Sequence, residues 1–181
     1  MKKAAGLLAL SFLFLPVLHA EAFIESMHWQ RAQPADGQPL QYRAIHDLTI
    51  AGARIEGRLR VRVVIKNRGD EDAEGIVLLY GLTARLAPLR GREPGVWAVP
   101  FATDEKRVPK IAPHQSVEVF IDPARSTDLP LSRYLQRANR AGLRTDRLKL
   151  QAMLFPRPDV VKSVRMLQRE LPVSEAKESE Q

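Results

Sequence analysis

The stretch Arg54-Ile55-Glu56-Gly57-Arg58-Leu59-Arg60-Val61-Arg62-Val63-Val64-Ile65-Lys66-Asn67 decides the fold class. Ile55, Leu59, Val61, Val63 and Ile65 fall on one parity, and Arg54, Glu56, Arg58, Arg60 and Arg62 on the other. Alternation at period two marks a strand with one buried and one wet face, whereas a helix would scatter the same apolar residues around its circumference. Each buried Val, Leu or Ile contributes ~1.5–3 kcal/mol, so a one-residue register slip is strongly disfavoured.

Working outward, Asn67 to Asp72 reads as a polar hairpin or a short connection between sheets, and Gly75 to Leu82 returns as an apolar, β-rich run. Phe23, Met27 and Trp29 share a parity, and Tyr42 to Ile50 and Val96 to Phe101 make further extended runs. Alternation recurs in Ser116 to Asp122 and in Leu148, Leu150, Ala152 and Leu154. About seven short strands between Gly/Pro/Asp-rich turns predict an antiparallel Ig-like or fibronectin-III-like β-sandwich.

One amphipathic helix is expected at about 129–141. Asp128 is a suitable N-cap, Pro130 suits the first turn, Gly142 marks the stop, and Leu131, Tyr134, Leu135 and Ala138 share a face. Residues 159–171 suit either a helix or a last strand pairing back on Arg147–Phe155, and the sandwich favours the strand. Residues 174–181 read as a disordered acidic tail, so that one domain spans residues 23–173.

Residues 1–22 read as a signal peptide. Lys2 and Lys3 precede a small and apolar run from Ala4 to Leu15, Pro16 breaks it, and cleavage follows Ala20 or Ala22. The run is shorter than the roughly 20 residues that span a bilayer, and no later segment is long and apolar enough to do so. A bacterial periplasmic or secreted protein is the setting this implies. The 28 Lys+Arg against 21 Asp+Glu give a net charge of +7, which falls to +5 without Lys2 and Lys3. With no cysteine, disulfide scaffolds, thiolate metal sites and Cys nucleophiles are excluded.

Ile65-Lys66-Asn67-Arg68-Gly69, an acidic turn, and Ile76-Val77-Leu78-Leu79-Tyr80 resemble the Asn-x-Gly hairpin of bacterial Ig-like accessory domains of the CARDB type. Lys110-Ile111-Ala112-Pro113-His114-Gln115-Ser116-Val117-Glu118-Val119 takes the place of that family's next turn and strand, with His114 where glycine is usual. The resemblance runs from about Arg54 to Asp122. It implies an extracellular spacer, adhesion or binding module without catalytic activity.

The candidate binding residues are arginines. Arg54, Arg58, Arg60 and Arg62 share the wet parity of the strand, and Arg133, Arg137, Arg140 and Arg144 recur at steps of four, three and four on the helix. Guanidinium grips carboxylate and phosphate bidentately, so both rows suit an anionic envelope polymer or an acidic partner protein. The alternative is a solvated face with Glu56, Glu118 and Asp70 to Asp72 as partners. Nucleic acid is disfavoured, because 6% aromatic residues supply no stacking platform and no recognition motif is legible.

No cofactor is implied. His28, His46 and His114 lack ligand spacing, although imidazoles with Met27, Met153 and Met166 would suit copper if the fold gathered them. No GxSxG, SxxK, glycine-rich phosphate loop or paired carboxylate motif supports an enzyme. Arg68-Gly69-Asp70 sits on a turn tip, where this tripeptide would suit receptor binding, but Asn, Gly and Asp are also simply what turns require. Sheet-edge pairing with a client strand, as in a periplasmic chaperone or a secretion or pilus assembly accessory, is the other non-catalytic reading.

Overall fold

A computed structural model of the chain describes residues 20–33, 40–51, 53–91, 93–125, 130–155 and 166–176. In it the deciding stretch forms two strands instead of one. The elements are β1 (Ala22–Gln33), β2 (Gln41–Ala44), β3 (Leu48–Ala51), β4 (Arg54–Ile55), β5 (Leu59–Asn67) and β6 (Val77–Pro88). They continue as β7 (Val96–Trp97), β8 (Ala102–Arg107), β9 (Ser116–Ile121), α1 (Leu131–Arg140), β10 (Leu143–Phe155) and β11 (Met166–Glu175).

The fold is mostly β. One sheet has four antiparallel strands in the order β2-β1-β5-β9; the other has seven, in the order β4-β3-β11-β10-β6-β7 with β8 also on β6. The larger sheet is mixed, because β11 pairs parallel with β3, and its β4-β3-β11 part curls into a half-barrel. Strict alternation holds in β5, where Leu59, Val61, Val63, Ile65 and Asn67 are buried and their neighbours half-buried. Met27, Trp29 and Ile121 join these from the smaller sheet. Leu78, Leu82, Leu148, Leu150, Leu154 and Leu171 complete the core from the larger one.

Several expectations are corrected. Glu56, Gly57 and Arg58 interrupt the predicted strand, with Gly57 at φ +76 and space for a Cβ only 3.1 Å from the Ala32 carbonyl. β4 therefore belongs to the larger sheet and β5 to the smaller. Tyr42 to Ile50 likewise splits into β2 and β3, one in each sheet. Of the two readings of Asn67 to Asp72, the intersheet connection is the one that forms, because β5 and β6 lie in different sheets. A bulge between Ile24 and Ser26 shifts the parity of β1. Ile24, opposite buried Ile65, therefore shares the inner face with Met27 and Trp29, while Phe23 pairs with Lys66.

The helix is shorter than expected, beginning after Pro130; Asp128 lies outside the described residues. Leu131, Leu135 and Ala138 are buried as the pattern requires, and Tyr134 stacks on Phe101 with ring centroids 4.2 Å apart. α1 packs on β10 and β4. β11 pairs with Arg147 to Met153 of β10, and its last residues, Ser174 and Glu175, lie opposite Thr49 and Ile50. The strand thus runs into the segment read as a tail, of which residues 177–181 lie outside the described residues. Residues 1–19, most of the segment read as a signal peptide, lie outside them too.

Candidate functional site

The structure separates the eight arginines into partnered and unpartnered groups. On the outer face of β5, the guanidinium of Arg60 lies between two rings, 3.6 Å from the centroid of Tyr42 and 4.0 Å from that of Phe120. Its Nε donates to Gln30 Oε1 at 2.8 Å. Strand register explains this clamp, since Gln30 is opposite Arg60 in β1 and β9 brings Phe120 beside it. Arg62 donates to Glu118 of β9. That hydrogen bond, helped by the opposite charge, holds the Glu118 carboxyl below its ordinary range. Arg60 and Arg62 are therefore sheet-bracing residues. Arg58 is exposed just before β5, and Arg54 sits on β4 in the other sheet. The predicted row of four does not form, because Gly57 turns the chain between its members.

The helix row fares differently. Arg133, Arg137 and Arg140 are exposed on the face opposite Leu131, Leu135 and Ala138. Among the described residues no carboxylate forms a salt bridge with them. Arg137 and Arg140 stand in the last turn, where cations favour the helix dipole, whereas Arg133 stands near the positive end with no acid in the first turn. Arg144 is not on this face. The chain leaves the helix at Gly142, φ +76, and Arg144 lies in β10 opposite Ala87, its Nε buried without a partner. Because β4 packs on α1, Arg54 belongs to the helix side of the molecule.

Other polar groups were not anticipated as a set. Asn67, fully buried, accepts from the Glu21 N–H (3.1 Å) and the Gly69 N–H (3.0 Å). It donates to the carbonyls of Glu71 (2.7 Å), Ile111 (3.1 Å) and Ala112 (3.4 Å). The Asn-x-Gly pattern was legible as a turn; the longer-range partners were not. Arg85 grips Asp146 through Nε (2.7 Å) and Nη2 (3.0 Å). Gly95 packs directly against this pair. Tyr80 donates to Asp104 at 3.2 Å, and burial followed by the nearby Asp104 charge pushes its phenol well above the ordinary value.

Arg68-Gly69-Asp70 is tied down at both charged ends. The Arg68 guanidinium lies 4.0 Å from the Phe23 ring centroid, and Asp70 Oδ1 is 3.0 Å from His114 Nε2. His28 and His46 line one cavity of about 450 Å³, while His114 stands apart on Asp70. Among the described residues no group of three or more His, Asp or Glu side chains could hold a metal ion.

No protein-family model matches the chain, and no curated protein matches it. Similar solved structures include a β-glucosidase from Erythrobacter marinus, at 13% identity and a TM-score of 0.40, covering 86% of this chain and 16% of that one. A β-glucosidase from Listeria innocua in complex with gluconolactone is similar at 13% identity and a TM-score of 0.39, covering 87% and 16%. The β-D-glucoside glucohydrolase of Trichoderma reesei is similar at 12% identity and a TM-score of 0.36, covering 86% and 19%. The chain thus spans less than a fifth of the length of these proteins.

Proposed function

We propose that this chain is an exported, non-enzymatic binding or accessory module with an Ig-like β-sandwich body, and that it contacts an anionic envelope component or partner protein through the arginine face of α1. The observation that carries this reading is the trio Arg133, Arg137 and Arg140, exposed on a helix whose other face is anchored in the core. Arg54 on adjoining β4 extends the positive surface. Arginines held on a rigid support lose little freedom when they engage carboxylate or phosphate. The Ig-like reading is supported by one core shared between two sheets and by a chain that changes sheet at β2–β3, β4–β5, β5–β6, β8–β9 and β9–β10. It is also supported by φ +60 at His114, the position where the resembling domains carry glycine.

Export rests on the leader-like sequence. Cleavage after Ala20 fits the fold better than cleavage after Ala22, because the Glu21 N–H bonds Asn67 and the Glu21 carbonyl accepts from Arg68 N at 2.8 Å. The functional test is retention on bacterial envelope fractions at low and high salt, with Arg133, Arg137 and Arg140 replaced by Gln. Wild-type retention that is lost in the variant and in high salt is expected. Equal retention of both proteins would remove the proposal.

A further inference from the structure

β1 and β11 face one another across an open seam. β1 is paired with β5 from Ala22 to Arg31, but β2 covers its other edge only from Gln30 to Gln33. β11 is paired with β10 from Met166 to Pro172, and β3 covers its other edge only from Val173 to Glu175. The Trp29 carbonyl accepts from Ile45 N at 2.9 Å, on the side away from β5. Peptide groups alternate sides along an antiparallel strand, so the N–H and C=O of Met27 point into the same seam. No strand meets them there among the described residues. Among the described residues, one side-chain hydrogen bond crosses the gap, from Trp29 Nε1 to the Arg169 carbonyl at 3.3 Å.

The seam is a trough. A cavity of about 450 Å³ lies between His28 and Trp29, the β2–β3 turn, and Gln168 to Glu170. A second, of about 210 Å³, continues it past Glu25 to His28 and Leu167 to Arg169. The two share His28, Gln168 and Arg169. Its acids are already matched, Glu25 with Lys66 at 3.7 Å and Glu170 with Arg147 at 2.9 Å. Arg169 is exposed and has no side-chain partner among the described residues, so the trough keeps one uncompensated positive charge.

We infer that this trough binds an extended peptide segment of a partner protein, which adds a strand to the free edge of β1 and places a carboxylate against Arg169. Unpaired strand edges select an extended backbone, and the free guanidinium selects an acidic side chain. This surface is separate from the arginine face of α1.

The probe is a phage-displayed library of linear ten-residue peptides, selected on the immobilised wild-type protein. The expected result is enrichment of alternating, β-prone sequences carrying Asp or Glu. Synthetic copies should lose at least tenfold in affinity when their backbone is N-methylated at alternate positions, which leaves the protein untouched. Arg169→Glu should weaken them at least tenfold, and the Arg133/Arg137/Arg140→Gln variant should bind them as wild type does. Failure of the library to enrich, affinity indifferent to N-methylation, or binding unchanged by Arg169→Glu would each overturn the inference. Loss of binding in the helix variant would overturn it too, by assigning capture to α1.

Discussion

Replacing Asn67 by Ala removes a side chain that ties three segments together: the chain entering β1, the β5–β6 connection and the β8–β9 connection. Not every bond counts equally. The Ile111 carbonyl keeps the Ala73 N–H at 2.9 Å, and the Ala112 carbonyl keeps the Gln115 N–H at 3.1 Å. The Glu21 N–H, the Gly69 N–H and the Glu71 carbonyl lose the Asn67 bonds without such a substitute. These three sites are only partly buried, so water moderates the loss, and about 1 kcal/mol each gives a total of about 3 kcal/mol. For a domain of this size that corresponds to a fall in melting temperature of roughly 6–12 °C. Urea unfolding followed by the fluorescence of Trp29, which is 2% exposed, measures it. Asn67→Asp keeps both acceptor roles but turns an oxygen toward the Glu71 and Ile111 carbonyls, so it should lose at least as much at pH 7. A loss below about 1 kcal/mol for Asn67→Ala would refute the reasoning.

Gly95→Ala would bring a Cβ to 2.9 Å from Asp146 Oδ2, 3.0 Å from Arg85 Cγ and 3.1 Å from the Leu86 carbonyl. Thermal melting should show a cost of about 1–3 kcal/mol, and an unchanged melting temperature would contradict the close packing. His114→Gly relieves a left-handed backbone at φ +60 and gives up only an exposed pair with Asp70, so stability should rise by up to about 1 kcal/mol. A lower denaturation midpoint would count against that reading. Tyr80 has its phenol pKa raised in the folded state, chiefly by burial. Its contribution is therefore complete below the ordinary value of 10.0 and is lost as pH rises beyond it, because the unfolded chain ionises first. Tyr80→Phe should flatten the loss of stability above pH 10 in alkaline titrations, and an identical alkaline limb would reject this assignment.

The parity of residues 59–67 was legible because apolar and charged side chains alternate there, broken only by Val64 on the outer face and Asn67 on the inner one. Burial of Leu59, Val61, Val63 and Ile65 follows from that pattern alone. The apolar face of α1 was legible for the same reason, at period 3.6. What period two cannot show is where a strand changes sheet. Ala53 and Gly57 both have positive φ, yet only Gly57 signals this in its side chain. Partnership was the second gap. Arg60 and Arg133 are equivalent in one dimension, but Tyr42 and Phe120 arrive beside Arg60 from distant strands, and among the described residues no ring or carboxylate reaches Arg133. Arg144 was misplaced because helical spacing was carried past Gly142, where the backbone turns.

The arginine face of α1 is tested most directly by the affinity of the purified protein for inorganic polyphosphate in dilute salt, followed by fluorescence anisotropy. Three exposed guanidinium–phosphate contacts at about 0.7 kcal/mol each predict that the Arg133/Arg137/Arg140→Gln variant binds roughly 30-fold more weakly than wild type. Arg62→Gln, which removes an arginine already engaged by Glu118, should change the affinity less than twofold. Equal affinity of the wild type and the triple variant would contradict the account.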